Sequence, residues 1–229
     1  MDAQQQWKQS AAESAVALVE NGMILGLGTG STAKLAVDAL GKRVAGGLRI
    51  TGIPTSEATD HQARALGIPI STLDEHPEID LTIDGADEVE LGSLNLVKGL
   101  GGALLREKIV ASASKRLVII VDESKLVERL GSRFAVPVEV VPFGWTATAR
   151  RLQALGAQIT LRISADSKPF ITDGGHYIVD CTFGPIASAA KLDSELNGIV
   201  GVVEHGLFLG MATQVIVAGQ SGVKVLLPQ

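Results

Sequence analysis

Short runs dominated by Val, Ile and Leu recur along the chain at residues 23–27, 48–53, 81–83 and 117–121. Between them, over residues 32–39, 57–66 and 103–113, apolar side chains return at helical spacing. Apolar runs of this kind mark strands covered on both faces, and strands that alternate with helices form a parallel sheet through right-handed crossovers. The pattern predicts an α/β chain built on a Rossmann-like parallel sheet with helices on both faces. The opening segment, MDAQQQWKQSAAESAVALVENG, also spaces its apolar members as a helix, with Glu and Gln between them, unlike the basic start and apolar centre of a signal peptide.

The pattern changes near Gly131. VPVEVVPF, then ATARRLQALGAQITLRI, then the turn-like TDGGHYIVD predict strand, helix, strand, hairpin turn and strand, a small α/β unit of ferredoxin-like type over residues 132–206. The last stretch, VVEHGLFLGMATQVIVAGQSGVKVLL, returns to short apolar runs joined by Gly. It is expected to rejoin the first unit, so that residues 1–131 and 207–229 make one Rossmann-like catalytic domain.

Composition narrows the partners. A formal charge of -5 argues against nucleic acid or anionic membrane, and aromatics at 3% leave little for a base-stacking platform. No apolar run approaches the roughly 20 residues of a transmembrane helix. Cys181 stands alone, which rules out an internal disulfide framework, makes the cytoplasm the default compartment and reads as a small buried hydrophobe. His61, His76, His176 and His205 are scattered without metal-ligand spacing.

Ligands of doubly wound sheets gather where strands end and loops begin, and three such loops carry chemistry. In GLGTGST a helix starting near Ser31 would offer unpaired N–H groups and a positive dipole end to an anion. Ser31 and Thr32 there can either bind phosphate or cap the helix. Gly28-Thr29-Gly30-Ser31-Thr32-Ala33 also satisfies the dinucleotide pattern, but the acid it requires has no better candidate than Glu57, set beyond Pro54-Thr55-Ser56.

The second loop, Asp84-Gly85-Ala86-Asp87-Glu88-Val89-Glu90, places four carboxylates behind a strand expected to be buried. Their spacing is not that of an EF-hand, and Lys98 supplies a positive charge in place of a metal. Glu88 and Glu90 read as solvated surface acids. The third loop runs from Lys98 through Gly99, Leu100, Gly101 and Gly102 into a helix that carries Glu107. Its glycines let backbone N–H groups converge on an oxygen, while Lys98 adds an ammonium.

GLGTGST, TSEAT, DGADEVE, KGLGGALLREK, VDESK and GVVEHGLF, in this order and spacing, resemble the A-type ribose-5-phosphate isomerase family over essentially the whole chain. The resemblance implies interconversion of ribose 5-phosphate and ribulose 5-phosphate in the pentose phosphate pathway, with no metal or organic cofactor, in a cytoplasmic homodimer or dimer of dimers. It implies a phosphate loop at Thr29, Gly30, Ser31 and Thr32, with Lys8 and Lys125 as further phosphate contacts. It places paired acids at Asp84 and Asp87, the loop lysine at Lys98 and the proton acceptor at Glu107, with Gly85, Ala86, Gly99, Leu100 and Gly101 against the substrate. Two departures from the family pattern are Leu100, where many members carry a smaller or polar residue, and the TDGGHYIVD turn.

Such chemistry suits these residue types. Moving a carbonyl from C1 to C2 needs one carboxylate to take and return a carbon-bound proton, donors such as Lys98 and the 99–102 amides for the enediolate, and a further acid/base, Asp84 or Asp87, for ring opening. The helix start and Lys98 should lower the pKa of Glu107 while burial should raise it. A sugar-phosphate-sensing regulatory domain and a nicotinamide-dependent dehydrogenase are the rival readings.

Overall fold

A computed structural model describes residues 3–228. A six-stranded sheet forms the centre, in the order β14 (Gly222–Leu226), β13 (Gln214–Gly219), β6 (Leu117–Asp122), β3 (Leu81–Asp84), β1 (Ile24–Leu27), β2 (Thr51–Pro54). All neighbours are parallel except the β13–β14 hairpin. Every residue of β3 and β6 is buried, as expected of strands covered on both faces. Helices α1 (Ala3–Val16) and α2 (Ser31–Ala45) pack together, and the small side chains Ala11, Ala12 and Ala15 let α1 sit close over Val118, Ile120 and Ile216. α3 (Glu57–Ala65) covers β2 with a side-chain cap from Ser56. α4 (Leu104–Ser112) joins Val110 to Ile53 and Ile79 in a separate apolar cluster.

A second sheet is antiparallel, in the order β11 (Val202–His205), β8 (Val136–Val140), β10 (Tyr177–Thr182), β9 (Gln158–Leu161). Its core gathers Val136, Val138, Val140, Val179 and Cys181 under α5 (Trp145–Ala154) and α6 (Ala189–Asn197). Cys181 is fully buried, and burial, followed by the neighbouring Asp180 charge, pushes its thiol up to about 12.

The chain departs from the sequence expectation in three places. The second strand begins at Thr51, three residues later than the apolar run from Leu48 suggests. α6, capped by Ser188, lies where no apolar run announces it. A third sheet of very short strands, β12 (Leu207–Phe208), β5 (Leu96–Val97), β4 (Glu88–Glu90), β7 (Leu126–Val127), joins segments distant in sequence. Strands of two or three residues leave no readable alternation; their pairing is set by tertiary contact.

Candidate active site

The chain lays β2 on one side of β1 and β3 on the other. Loops leaving β1 and β3 therefore diverge and leave a crevice between them. Thr29 to Thr32 wall one side, Gly85, Ala86 and Asp87 another, and Lys98, Gly99 and Gly101 a third. Glu107 and Lys125 complete the lining.

Close approach explains the first glycines. A Cβ on Gly28 would lie 2.2 Å from Oδ1 of Asp84, so only glycine lets the β1 loop close over the β3 carboxylate. Gly30 has φ 114 and serves as the N-cap of α2 with no side-chain cap bond. Ser31 and Thr32 thus do not cap the helix, and the first amides of α2 stay available to a ligand. Lys8 of α1 reaches across to Ser31, Nζ to Oγ 3.1 Å. Thr29 turns its hydroxyl inward, 2.7 Å from Thr55 Oγ1 and 2.8 Å from Ser56 Oγ, while its N–H donates to Asp84 Oδ1 at 3.1 Å. Thr55 and Thr59 donate to the carbonyls of Leu27 and Gly28, each at 3.0 Å. This hydroxyl cluster is the task of TSEAT, to which sequence reasoning gave no role.

Lys98 is the electrostatic centre. Only 2% exposed, it places Nζ 3.0 Å from Asp84 Oδ2, 3.3 Å from Glu107 Oε1 and 2.6 Å from the Gly85 carbonyl. Three acceptors match its three protons. Burial works against the ammonium, but Asp84, Glu107 and Asp87 outweigh it and hold its pKa above the ordinary value. Asp84 is buried behind Lys98, outside the cleft wall; burial raises its pKa against the opposing pull of Lys98. Asp87 does face the cleft, and its Oδ2 accepts the Leu100 N–H at 3.0 Å.

Glu107, in the first turn of α4 and 4% exposed, has one oxygen on Lys98 and the other, Oε2, without a partner. The competition between helix dipole, lysine and burial is resolved in favour of burial. Desolvation is the largest influence, Lys98 opposes it, the Asp84 and Asp87 charges add to it, and the carboxyl is pushed up to about 8.

The glycine loop is held from the second sheet. Arg162, paired with Asp180, donates to the carbonyls of Gly99 (2.9 Å) and Leu100 (3.1 Å). The Leu100 side chain is partly exposed and lies outside the cleft wall. The Gly206 carbonyl accepts the Lys98 N–H at 2.9 Å, which gives GVVEHGLF its place under the glycine loop.

The expectation for Glu88 is overturned. Rather than a solvated acid, it is fully buried, and its carboxylate accepts the N–H groups of Gly131 (2.5 Å), Arg133 (2.6 Å) and Phe134 (2.9 Å). The returning 131–134 loop, invisible in the local sequence, supplies what water would have supplied. Glu90 is half-buried and accepts from Ser93 Oγ at 2.6 Å.

Among the described residues, the end of β2 offers no acid for a dinucleotide's ribose. β2 ends at Pro54, and Glu57, the nearest acid, sits in the first turn of α3 with a largely exposed side chain near Arg106.

Residues 51–222 match the sequence profile of Ribose 5-phosphate isomerase A (phosphoriboisomerase A). The ribose-5-phosphate isomerase A of Gloeobacter violaceus is 63% identical over 221 residues, 96% of each chain. The solved ribose 5-phosphate isomerase A of Methanocaldococcus jannaschii superposes with a TM-score of 0.94 at 43% identity, covering 98% of this chain and 100% of that one. A D-ribose-5-phosphate isomerase in complex with phospho-erythronic acid superposes with a TM-score of 0.95 at 40% identity, over 99% and 100% of the two chains. Fold, site geometry and these likenesses agree: the chain belongs to the ribose 5-phosphate isomerase A family.

Proposed function

We infer that this protein is an aldose-ketose isomerase that interconverts D-ribose 5-phosphate and D-ribulose 5-phosphate through an enediolate. The observation that carries the chemistry is Glu107: a cleft-lining carboxylate with an uncommitted oxygen and a pKa raised to about 8, next to a buried ammonium. A base whose pKa lies near the working pH both takes and returns a proton efficiently.

The sugar phosphate is oriented by its anion. The amides of Ser31 and Thr32, the two hydroxyls, Lys8 and Lys125 form the phosphate grip, with the α2 dipole behind it. The solved relative in complex with phospho-erythronic acid, a phosphate-bearing ligand, is in keeping with a sugar-phosphate substrate. With the phosphate fixed, the open-chain aldose lays C1 and C2 along Glu107. Glu107 removes the C2 proton as electrons move onto the C1 carbonyl oxygen, and reprotonation at C1 gives the ketose.

The 3.3 Å bond from Lys98 to Glu107 is the longest of its three. Once Glu107 has taken the proton and lost its charge, that N–H is the one released to the enediolate oxygens. Asp84 acts through Lys98 as a positioning residue, while Asp87, on the cleft wall, is placed to serve ring opening and proton movement between the sugar oxygens. The pentose phosphate pathway is the metabolic setting, and the cytoplasm the proposed compartment. Among the described residues no helix is long and apolar enough to cross a membrane. A homodimer or dimer of dimers is the proposed assembly, and the exposed side chains of Phe143 and Val200 offer it an apolar surface.

Turnover of ribose 5-phosphate in D₂O without added cofactor tests the reading. Deuterium should enter C1 of ribulose 5-phosphate. Binding without turnover would indicate a sensing domain, and a requirement for nicotinamide would indicate a dehydrogenase.

A further inference from the structure

Glu88 lies outside the cleft lining, yet its carboxylate is fully buried and held entirely by backbone groups. Its two oxygens collect three backbone N–H groups from a loop 43 to 46 residues further along the chain. A buried carboxylate with such partners fixes a backbone, because each lost bond would leave a charge or an amide unsatisfied in the interior. What the fixed backbone carries is informative. The Arg133 guanidinium donates to the carbonyl of Ser124, the residue before Lys125. The Phe134 ring lies under the Lys125 ammonium, 4.8 Å from Nζ to the centroid. From the other direction, Asp122 caps the short turn Glu123–Lys125 by accepting the Ser124 N–H at 3.0 Å. Backbone and ammonium of Lys125 are thus set by separate contacts, and two of them originate on the loop that Glu88 holds.

We propose that Glu88 and Phe134 are positioning residues for the substrate's phosphate: Glu88 clamps the 131–134 loop, and the loop's Phe134 ring and Arg133 aim the Lys125 ammonium into the cleft. The assignment rests on the reading of Lys125 as a phosphate contact. A flexible lysine brings four rotatable bonds to an ion pair, and ordering them beforehand lowers the cost of binding. The ring contributes without competing for the anion, since it accepts no hydrogen bond from the ammonium and leaves its protons for phosphate oxygens. Neighbours within the acidic loop then have separate tasks: Asp87 faces the reacting carbons, and Glu88 faces away and sets the far end of the substrate.

The test compares K125A, F134L, F134W and E88Q with the parent, measuring kcat and KM for ribose 5-phosphate and competitive inhibition by inorganic phosphate. F134L removes the ring but keeps an apolar filler. It should raise both KM and the phosphate inhibition constant about two- to fivefold, the size of one exposed cation–π contact, with kcat unchanged. F134W should restore parental values. E88Q should move the same two constants further in the same direction and melt at a lower temperature. K125A sets the reference for complete loss of the contact. If K125A weakens phosphate inhibition while F134L leaves it at the parental value, the positioning role is refuted and the phosphate contact stands. If K125A itself has no effect on phosphate, the grip assigned to Lys125 is wrong and the role of Glu88 and Phe134 falls with it.

Discussion

Replacing Glu107 by Gln should slow the enzyme and stabilise it, and the stabilisation should depend on pH. The Glu107 pKa rises from an ordinary 4.5 to about 8 in the fold, so the folded protein keeps a proton that the unfolded chain releases. The stability this proton confers is fully present below pH 4.5 and is lost as the pH climbs through 8. A displacement of that size corresponds to about 5 kcal/mol between the two ends of the window. Gln carries no such titration, yet its amide oxygen can still accept from Lys98. Melting temperatures of parent and variant should therefore agree within a few degrees at pH 5. At pH 9 the variant should melt higher, on the order of 10 °C for a chain of this size. Turnover should fall by about 10²–10⁴-fold, the usual cost of losing a general base. Calorimetric melts at the two pH values, alongside steady-state rates, decide the matter. Equal melting differences at pH 5 and pH 9 would refute the raised pKa, and near-parental turnover would refute Glu107 as the base.

Three further outcomes follow from the same geometry. kcat/KM should climb about tenfold per pH unit below pH 8 and then level, and Asp84→Asn, by removing a negative charge near Glu107, should move that midpoint to lower pH; a midpoint unmoved or shifted upward would contradict the arrangement. Ser31→Ala, Thr32→Ala and Lys125→Ala should each raise KM for ribose 5-phosphate several-fold with little loss of melting temperature, and free ribose should be a very poor substrate, because the phosphate's binding energy is what holds the reacting carbons at the base; variants that discriminate ribose 5-phosphate from ribose as well as the parent does would place the phosphate elsewhere. Dialysis against a strong chelator should leave the rate intact, since Lys98 already provides the cation between Asp84 and Glu107; loss of activity restored by Mg²⁺ or Mn²⁺ would require a metal at the acidic loop.

The parallel sheet was legible because its central strands are apolar throughout, and a strand buried on both faces can hardly be written otherwise. GLGTGST and DGADEVE pointed to a cleft for a related reason, since glycines and acids at strand ends have few structural excuses. Two things escaped. Glu88 and Glu90 looked equivalent, and only a loop more than 40 residues away separates them, burying one with three amides and leaving the other half-exposed. The division between Asp84 and Asp87 escaped as well, because it depends on which carboxylate the Lys98 ammonium covers. Periodicity reports burial along one element; it is silent about which distant backbone supplies the partner.

The order of strands also bears on how the protein is made. The side chains assigned to substrate and proton transfer lie between Lys8 and Lys125, but β6 lacks its neighbour on one side until β13 arrives at Gln214. During synthesis the ribosome therefore holds a chain that has every reactive group and an unpaired edge along its central sheet, with the Gly206 carbonyl that receives the Lys98 amide still to come. Such an edge is sticky, and a nascent chain of this kind depends on rapid completion or on chaperones for its solubility. A chain ended after residue 206 would keep all those groups and should be recovered inactive and aggregated, because β13 and β14 are what complete the central sheet beside β6.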